Sequence, residues 1–220
     1  MSLLVWLEKF KNGKIELILG SASKPRKEIV EQLNVPFRVV TSSFAEDLEK
    51  SAFKNDLSEY PLATAREKAR DIVKQLGTVG KPTILVTCDT VVLRDKTHIV
   101  EKPDGSHEDA CFMIKSLSGN EHQVATGVVV SLLAYGFTDS EDFKVVSRVQ
   151  FRSLTDEQIH AYVATGEAYN KAGGYGVQGL GALLVEEIRG SYTNVVGIPL
   201  REVCECIADI LDRNSDKLRL

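Results

Sequence analysis

The sequence predicts an α/β protein with a mixed, strongly curved sheet flanked by helices, in two lobes around a central cleft. Three observations carry this reading. An apolar run, IELILGS, feeds directly into a helical pattern, KPRKEIVEQLN. Two long runs rich in β-branched residues, HQVATGVVVSLLAYG and FKVVSRVQFRSL, follow in the second half of the chain and read as paired strands. Between Ala161 and Leu200, many glycines gather around a lysine, a glutamine and two asparagines, where an ordinary core segment is apolar and periodic. Glycine lets backbone N–H groups approach a ligand closely, so this stretch reads as a loop facing a cleft.

In chain order, MSLLVWLEKFKNGK is a short amphipathic leader. IELILGS is a buried strand, and KPRKEIVEQLN is a helix whose start is marked by Ser23 and an early proline. FRVVTS is a second strand, followed by the acidic loop SFAEDLEK. PLATAREKARDIVKQLG has Ala and Ile recurring on one face and a terminal glycine, the pattern of a helix with its stop. TILVTCDTVVLRD is apolar on both faces until Asp89 interrupts it. GSHEDACFMIKSLSG is a helix, and the two long strands that follow are expected to turn around the acidic segment TDSED. TDEQIHAYVATG is a helix capped by Thr155, ALLVEEI is a short strand-like run, and VVGIPLREVCECIADILDR is the closing helix. Residues 1–13 are assigned to the leader, 14–212 to one domain and 213–220 to a fraying tail.

Composition narrows the function classes. At 220 residues with 43% hydrophobic content the chain has enough apolar material for its own core. Its net charge of −4 is spread along the chain with no basic stripe, which argues against a nucleic-acid polymer as partner. The four cysteines, Cys88, Cys111, Cys204 and Cys206, form no C-x-x-C and read as buried free thiols. The four histidines show no zinc-like spacing. With no signal-peptide pattern and no membrane-length apolar run, the expected location is the cytoplasm, without membrane association.

Asp89 is the residue that most needs an explanation. A carboxylate directly after TILVTC costs several kcal/mol to bury unpaired, so it calls for a metal, a cation or a ligand mouth at the strand's end. The plain alternative is a structural carboxylate capping backbone amides. Thr90 follows, with a hydroxyl for a base or a phosphate. Arg26, Ser21 and Ser23 surround a helix start that already favours an anion. Glu46 in the acidic loop is a candidate to share a divalent cation with Asp89, since Mg²⁺ takes carboxylate oxygens together with substrate phosphates. Lys171 supplies a mobile cation in the Gly-rich loop and Gln178 a paired donor and acceptor. A literal G-x-G-x-x-G at Gly174, Gly176 and Gly179 lacks both the strand before it and the helix after it that dinucleotide binding requires, so that reading is rejected.

Taken together and in order, LILGSASKPRKEI, the acidic loop with Glu46, Lys68 between alanines, CDTVV, EKP, LSGNEHQVATGV, GEAYNKAGGYGVQG and GSYTNVVGIPL resemble the Maf family of nucleoside triphosphate pyrophosphatases. The similarity runs from Ile15 to Ile207 and is strongest to the branch acting on dTTP and UTP. It implies a fold like that of inosine triphosphate pyrophosphatases, a divalent metal cofactor (Mg²⁺ or Mn²⁺) on Glu46 and Asp89, and a homodimer. It implies that Asp89 accepts the proton of the attacking water, with Glu46, Lys68 and Lys102 around triphosphate and metal. Arg26, Thr90 and Gln178 are implied in substrate choice. The chain departs from the family pattern twice. Ser23-Lys24-Pro25-Arg26 stands where Ser-Pro-Arg-Arg is usual, and Asn170-Lys171-Ala172-Gly173 where Asp-Lys-Ala-Gly is usual. The loss of the aspartate leads to the expectation that Lys171 is free to meet phosphate. The rivals are a nucleotide-binding regulator of cell division with little turnover and a purine-selective house-cleaning pyrophosphatase.

Overall fold

The computed structural model describes residues 3–95 and 97–218. In chain order the elements are α1 (Leu3–Lys11), β1 (Glu16–Leu19), α2 (Lys24–Glu31), β2 (Arg38–Val39), α3 (Tyr60–Leu76), β3 (Thr83–Arg94), β4 (His98–Val100), α4 (His107–Leu117), β5 (Glu121–Ala134) and β6 (Phe137–Phe151). They continue with α5 (Asp156–Ala164), β7 (Val185–Arg189), α6 (Tyr192–Val196), α7 (Leu200–Arg213) and α8 (Ser215–Leu218). The strands form one mixed sheet in the order β2-β1-β3-β5-β6-β7, with β4 also on β3. β1 is parallel to β2 and β3, and the remaining pairs are antiparallel.

Alternation along β3 explains how the sheet is covered. Leu85, Val91 and Leu93 point to one face, where Tyr60, Ala65, Ala69 and Ile72 of α3 pack over β3 and β5. Ile84, Val86 and Cys88 point to the other, into a core shared with α1, α2 and α7. Val92, further along that second face, belongs to a separate core made with α4, α5 and the Gly-rich loop. These two cores on one curled sheet are the two lobes.

Several expectations need correction. TDSED lies inside β6; the hairpin turns at Tyr135-Gly136, both left-handed at φ 48° and 88°. Two consecutive positive φ values match the right-handed twist of the paired strands, which an acidic turn without glycine does not. FRVVTS supplies only the two-residue strand β2. Ser23 occupies the N-cap of α2 by backbone position, but its side chain makes no cap hydrogen bond. The closing helix starts at Leu200, with α6 and Pro199 before it. The leader is part of the core, since Leu3 and Phe10 pack with Ile207 and Leu211. The tail through Leu218 also packs, with Leu218 fully buried, while residues 219 and 220 lie outside the described residues. Among the described residues no helix is long and apolar enough to cross a membrane.

Candidate active site

Asp89 sits in the middle of β3, not at its end as expected. The mouth arises differently. On one edge of β3, β1 is paired over Thr83 to Val86 and β4 over Val92 to Arg94. Between these registers the edge has no strand partner among the described residues, and Asp89 and Thr90 lie in that interval. On the opposite edge Asp89 is in register with Gly127 of β5. A Cβ at Gly127 would lie 2.2 Å from backbone atoms of Leu62, so only glycine lets α3 lie this close to the sheet. That approach brings Lys68, on α3, onto Asp89.

The Lys68 ammonium lies 3.0 Å from Asp89 Oδ1 and 2.9 Å from Glu46 Oε2. Lys68 is buried, Asp89 mostly so, and Glu46 half exposed. A buried lysine between two carboxylates keeps its charge compensated, and in turn fixes both carboxylates at the cleft. Glu46 holds a left-handed backbone, φ 56°, which is uncommon for a residue with a Cβ and at this site re-aims the acidic loop toward Lys68. The Tyr60 hydroxyl supports that turn by donating to the Glu46 carbonyl. Two carboxylates on one ammonium, open to a cavity, present hard oxygen donors of the kind Mg²⁺ takes when phosphate and water complete its shell. The residues present therefore fit such an ion.

Arg26 forms a second cluster. Its Nη1 donates to Ser21 Oγ (3.1 Å), Nη2 to Thr90 Oγ1 (2.9 Å) and Nε to the Gly197 carbonyl (2.8 Å). Thr90 Oγ1 also lies 2.9 Å from Thr126 Oγ1. The threonine hydroxyl thus orients the guanidinium, where a direct contact to base or phosphate was expected. Arg26 in this way ties α2 to β3 and to the turn after α6 across the cleft.

The Gly-rich loop departs from expectation at its lysine. Lys171 is not free; its ammonium pairs with Glu167 Oε1 at 3.0 Å. Glu167 accepts as well from the amides of Leu180 and Gly181. Burial pushes its carboxyl up, but Lys171 and these two amides outweigh that and hold it below the usual carboxylate range. Glu167 is the site residue that sequence reasoning missed, although its i,i+4 spacing to Lys171 was the available signal. Below the loop, His122 of β5 is buried and its Nε2 lies 2.6 Å from the Tyr175 hydroxyl. Gln178 and Lys102 are exposed at the rim.

All ten candidate residues named from the sequence line one cavity of about 780 Å³. Five cationic side chains, Lys24, Arg26, Lys68, Lys102 and Lys171, face three carboxylates, Glu46, Asp89 and Glu167. Such a lining favours a polyanion, and the volume suits a nucleotide-sized molecule.

Comparison with known proteins agrees with this picture. A dTTP/UTP pyrophosphatase of Clostridium beijerinckii is 40% identical over 189 residues, 86% of this chain and 96% of that protein. One from Halalkalibacterium halodurans is 41% identical over 184 residues, 84% and 90% of the two chains. Among solved structures, the Staphylococcus aureus Ham1 protein aligns with 62% of this chain and 71% of its own at a TM-score of 0.32 and 12% identity, too distant to bear on the site. With residues 16–210 matching the Maf-like protein family, which spans every site residue described above, the chain belongs to that family.

Proposed function

We propose that this protein is a metal-dependent nucleoside triphosphate pyrophosphatase that hydrolyses pyrimidine triphosphates, dTTP and UTP, to the monophosphate and pyrophosphate. The reading rests above all on the Glu46–Lys68–Asp89 array opening into a cation-lined cavity. The names of relatives at about 40% identity over most of the chain support it.

Cleavage between the α- and β-phosphates needs neutralisation of a highly charged group and a water in line with the leaving pyrophosphate. Lys102 stands on the cavity wall to take phosphate oxygens, and Lys171, positioned by Glu167, adds positive charge beside them. Asp89 accepts a proton from the attacking water, whose oxygen joins the α-phosphorus as the bond to the β-phosphate breaks. Lys68 keeps the Asp89 carboxylate oriented throughout. Glu46 and Asp89 are the residues that would hold the divalent cation, which supplies charge stabilisation on the phosphates when bound. Arg26, held by Ser21, Thr90 and Gly197, shapes the end of the cavity beside α2. Gln178, an exposed amide on the cavity wall, carries the donor and the acceptor that the paired O and N–H edge of uracil or thymine calls for.

Purified protein given a panel of triphosphates is expected to release pyrophosphate and monophosphate from dTTP and UTP, only with Mg²⁺ or Mn²⁺ added. Orthophosphate as the product, or equal turnover in chelator, would overturn the assignment.

A further inference from the structure

Away from the cleft, α4 and α5 bring together three residues that the sequence left scattered. His107 and Cys111 are four apart on one face of α4, and His160 comes from the facing side of α5. His107 Nε2 lies 2.9 Å from His160 Nδ1, and Cys111 Sγ lies 3.4 Å from the same nitrogen. The two imidazoles stack with centroids 5.2 Å apart and planes 14° from parallel. All three ligand atoms fall within 4.8 Å of one another, and no other group of three or more potential ligands converges in this way among the described residues.

From this geometry we propose that His107, Cys111 and His160 form a second metal site, separate from the catalytic cleft, for a borderline-soft divalent ion of the Zn²⁺ class. Zn–N bonds of about 2.0–2.1 Å and a Zn–S bond of about 2.3 Å in a tetrahedron set nitrogens about 3.3 Å apart and nitrogen from sulfur about 3.6 Å. The observed separations of His160 Nδ1 from His107 Nε2 and from Cys111 Sγ lie within about 0.4 Å of those values. Two imidazoles and a thiolate select a borderline-soft ion over Mg²⁺, which prefers oxygen. On binding, the Cys111 thiol gives up its proton to solvent and the histidines bind as neutral rings. The fourth position, on the exposed side of His160, is left for water. Asp156, one turn before His160, supplies a nearby carboxylate and is itself paired with Lys115 at 2.6 Å, joining α5 to α4 a second time.

The site would also brace the substrate loop. Residues 167–170 follow α5 after only Thr165 and Gly166, and a Cβ at Gly174 would touch Met113 and Ile114 of α4 at 3.4 Å. An ion joining α4 to α5 therefore fixes the two helices on which the Gly-rich loop rests.

The test uses the full chain stripped of metal and titrated with Co²⁺ and then Zn²⁺. One equivalent of Co²⁺ is expected to give a thiolate-to-cobalt charge-transfer band that Zn²⁺ displaces, and Zn²⁺ is expected to raise the thermal midpoint. Cys111→Ser should abolish the band. His160→Gln and His107→Gln should each weaken binding about a hundredfold or more, since even residues that only support a ligand are worth about 10–100-fold. Stripped of Zn²⁺, these variants should hydrolyse triphosphate with Mg²⁺ as the stripped wild type does, and added Zn²⁺ should change neither their thermal midpoint nor their KM. Absence of the band, its persistence in Cys111→Ser, or unchanged affinity in both histidine variants would overturn the site.

Discussion

At the residue scale, Asp89 and Lys171 show how much a neighbour alters what a side chain does. Asp89 is held by Lys68 at 3.0 Å, so removing its charge leaves the lysine with Glu46 still in place and the fold intact. Asp89→Asn is expected to lower kcat by about 10²–10⁴-fold with unchanged thermal stability and nucleotide binding, the signature of a lost general base. Near wild-type turnover in that variant would return Asp89 to a structural role. Lys171 is held by Glu167, which also gathers two loop amides. Hydrogen bonds to a charged acceptor contribute about 1.5–3 kcal/mol, so Glu167→Ala should raise KM for the triphosphate at least about tenfold. Asn170→Asp, at an exposed position beside an ion pair already made, should change KM by less than about tenfold, roughly 1.4 kcal/mol. If steady-state kinetics gave the larger effect at Asn170, the loop would be organised by that position and not by Glu167.

At the element scale, the decisive contact is α3 against β5. Gly127 faces Asp89 across the ladder and leaves room for the backbone of Leu62. No flexible side-chain end lies there to yield, because the nearest atoms are backbone. Gly127→Ala should therefore destabilise by about 3 kcal/mol or more, the upper end for overpacking, and should lower kcat as α3 carries Lys68 away from Asp89. Urea unfolding and kinetics on the same sample check both halves; a variant with full stability and activity would show that α3 can shift without cost. The start of α5 follows a simpler, local rule. α5 opens with a complete capping box, Thr155 and Gln158 each bonding the other's backbone, as the sequence led one to expect of Thr155.

At the scale of the whole molecule, His122 links the sheet to the loop and makes stability depend on pH. Its ring packs edge-on against Phe151 and Tyr175, and its Nδ1 is buried without a hydrogen-bond partner. Burial lowers its pKa from 6.5 to about 4. Between these values the unfolded chain takes up a proton that the folded chain refuses, so stability falls as pH drops through that window. The loss should reach about 2 kcal/mol at pH 5 and roughly 3 kcal/mol at pH 4, relative to neutral pH. Urea midpoints at pH 7 and pH 5 measure it, and His122→Gln should flatten the slope. An equally steep fall in the variant would assign the dependence to other groups.

Local patterns in the sequence were enough for α2, α3, α4, α5 and α7, for the long strands and for the ten residues that line the cleft. Each of these depends on information a few residues wide: apolar spacing, a cap, a glycine, or a motif block whose order resembles a known family. What the tertiary structure alone decided was pairing between distant positions. The hairpin turn moved from TDSED to Tyr135-Gly136 because register is set by the buried face of the whole ladder and by a turn that tolerates two positive φ values. The leader and tail joined the core because α7 offers them an apolar face. The cleft opened in the middle of β3 because its pairing with β1 stops at Val86 and its pairing with β4 begins only at Val92. Likewise, Lys68 meets Asp89 and Glu46, Thr90 holds Arg26, and His107 meets His160 across residues far apart in the chain. Such contacts form only after the chain closes long loops, and a single sequence carries no local signal for which of its distant charges will be brought within 3 Å.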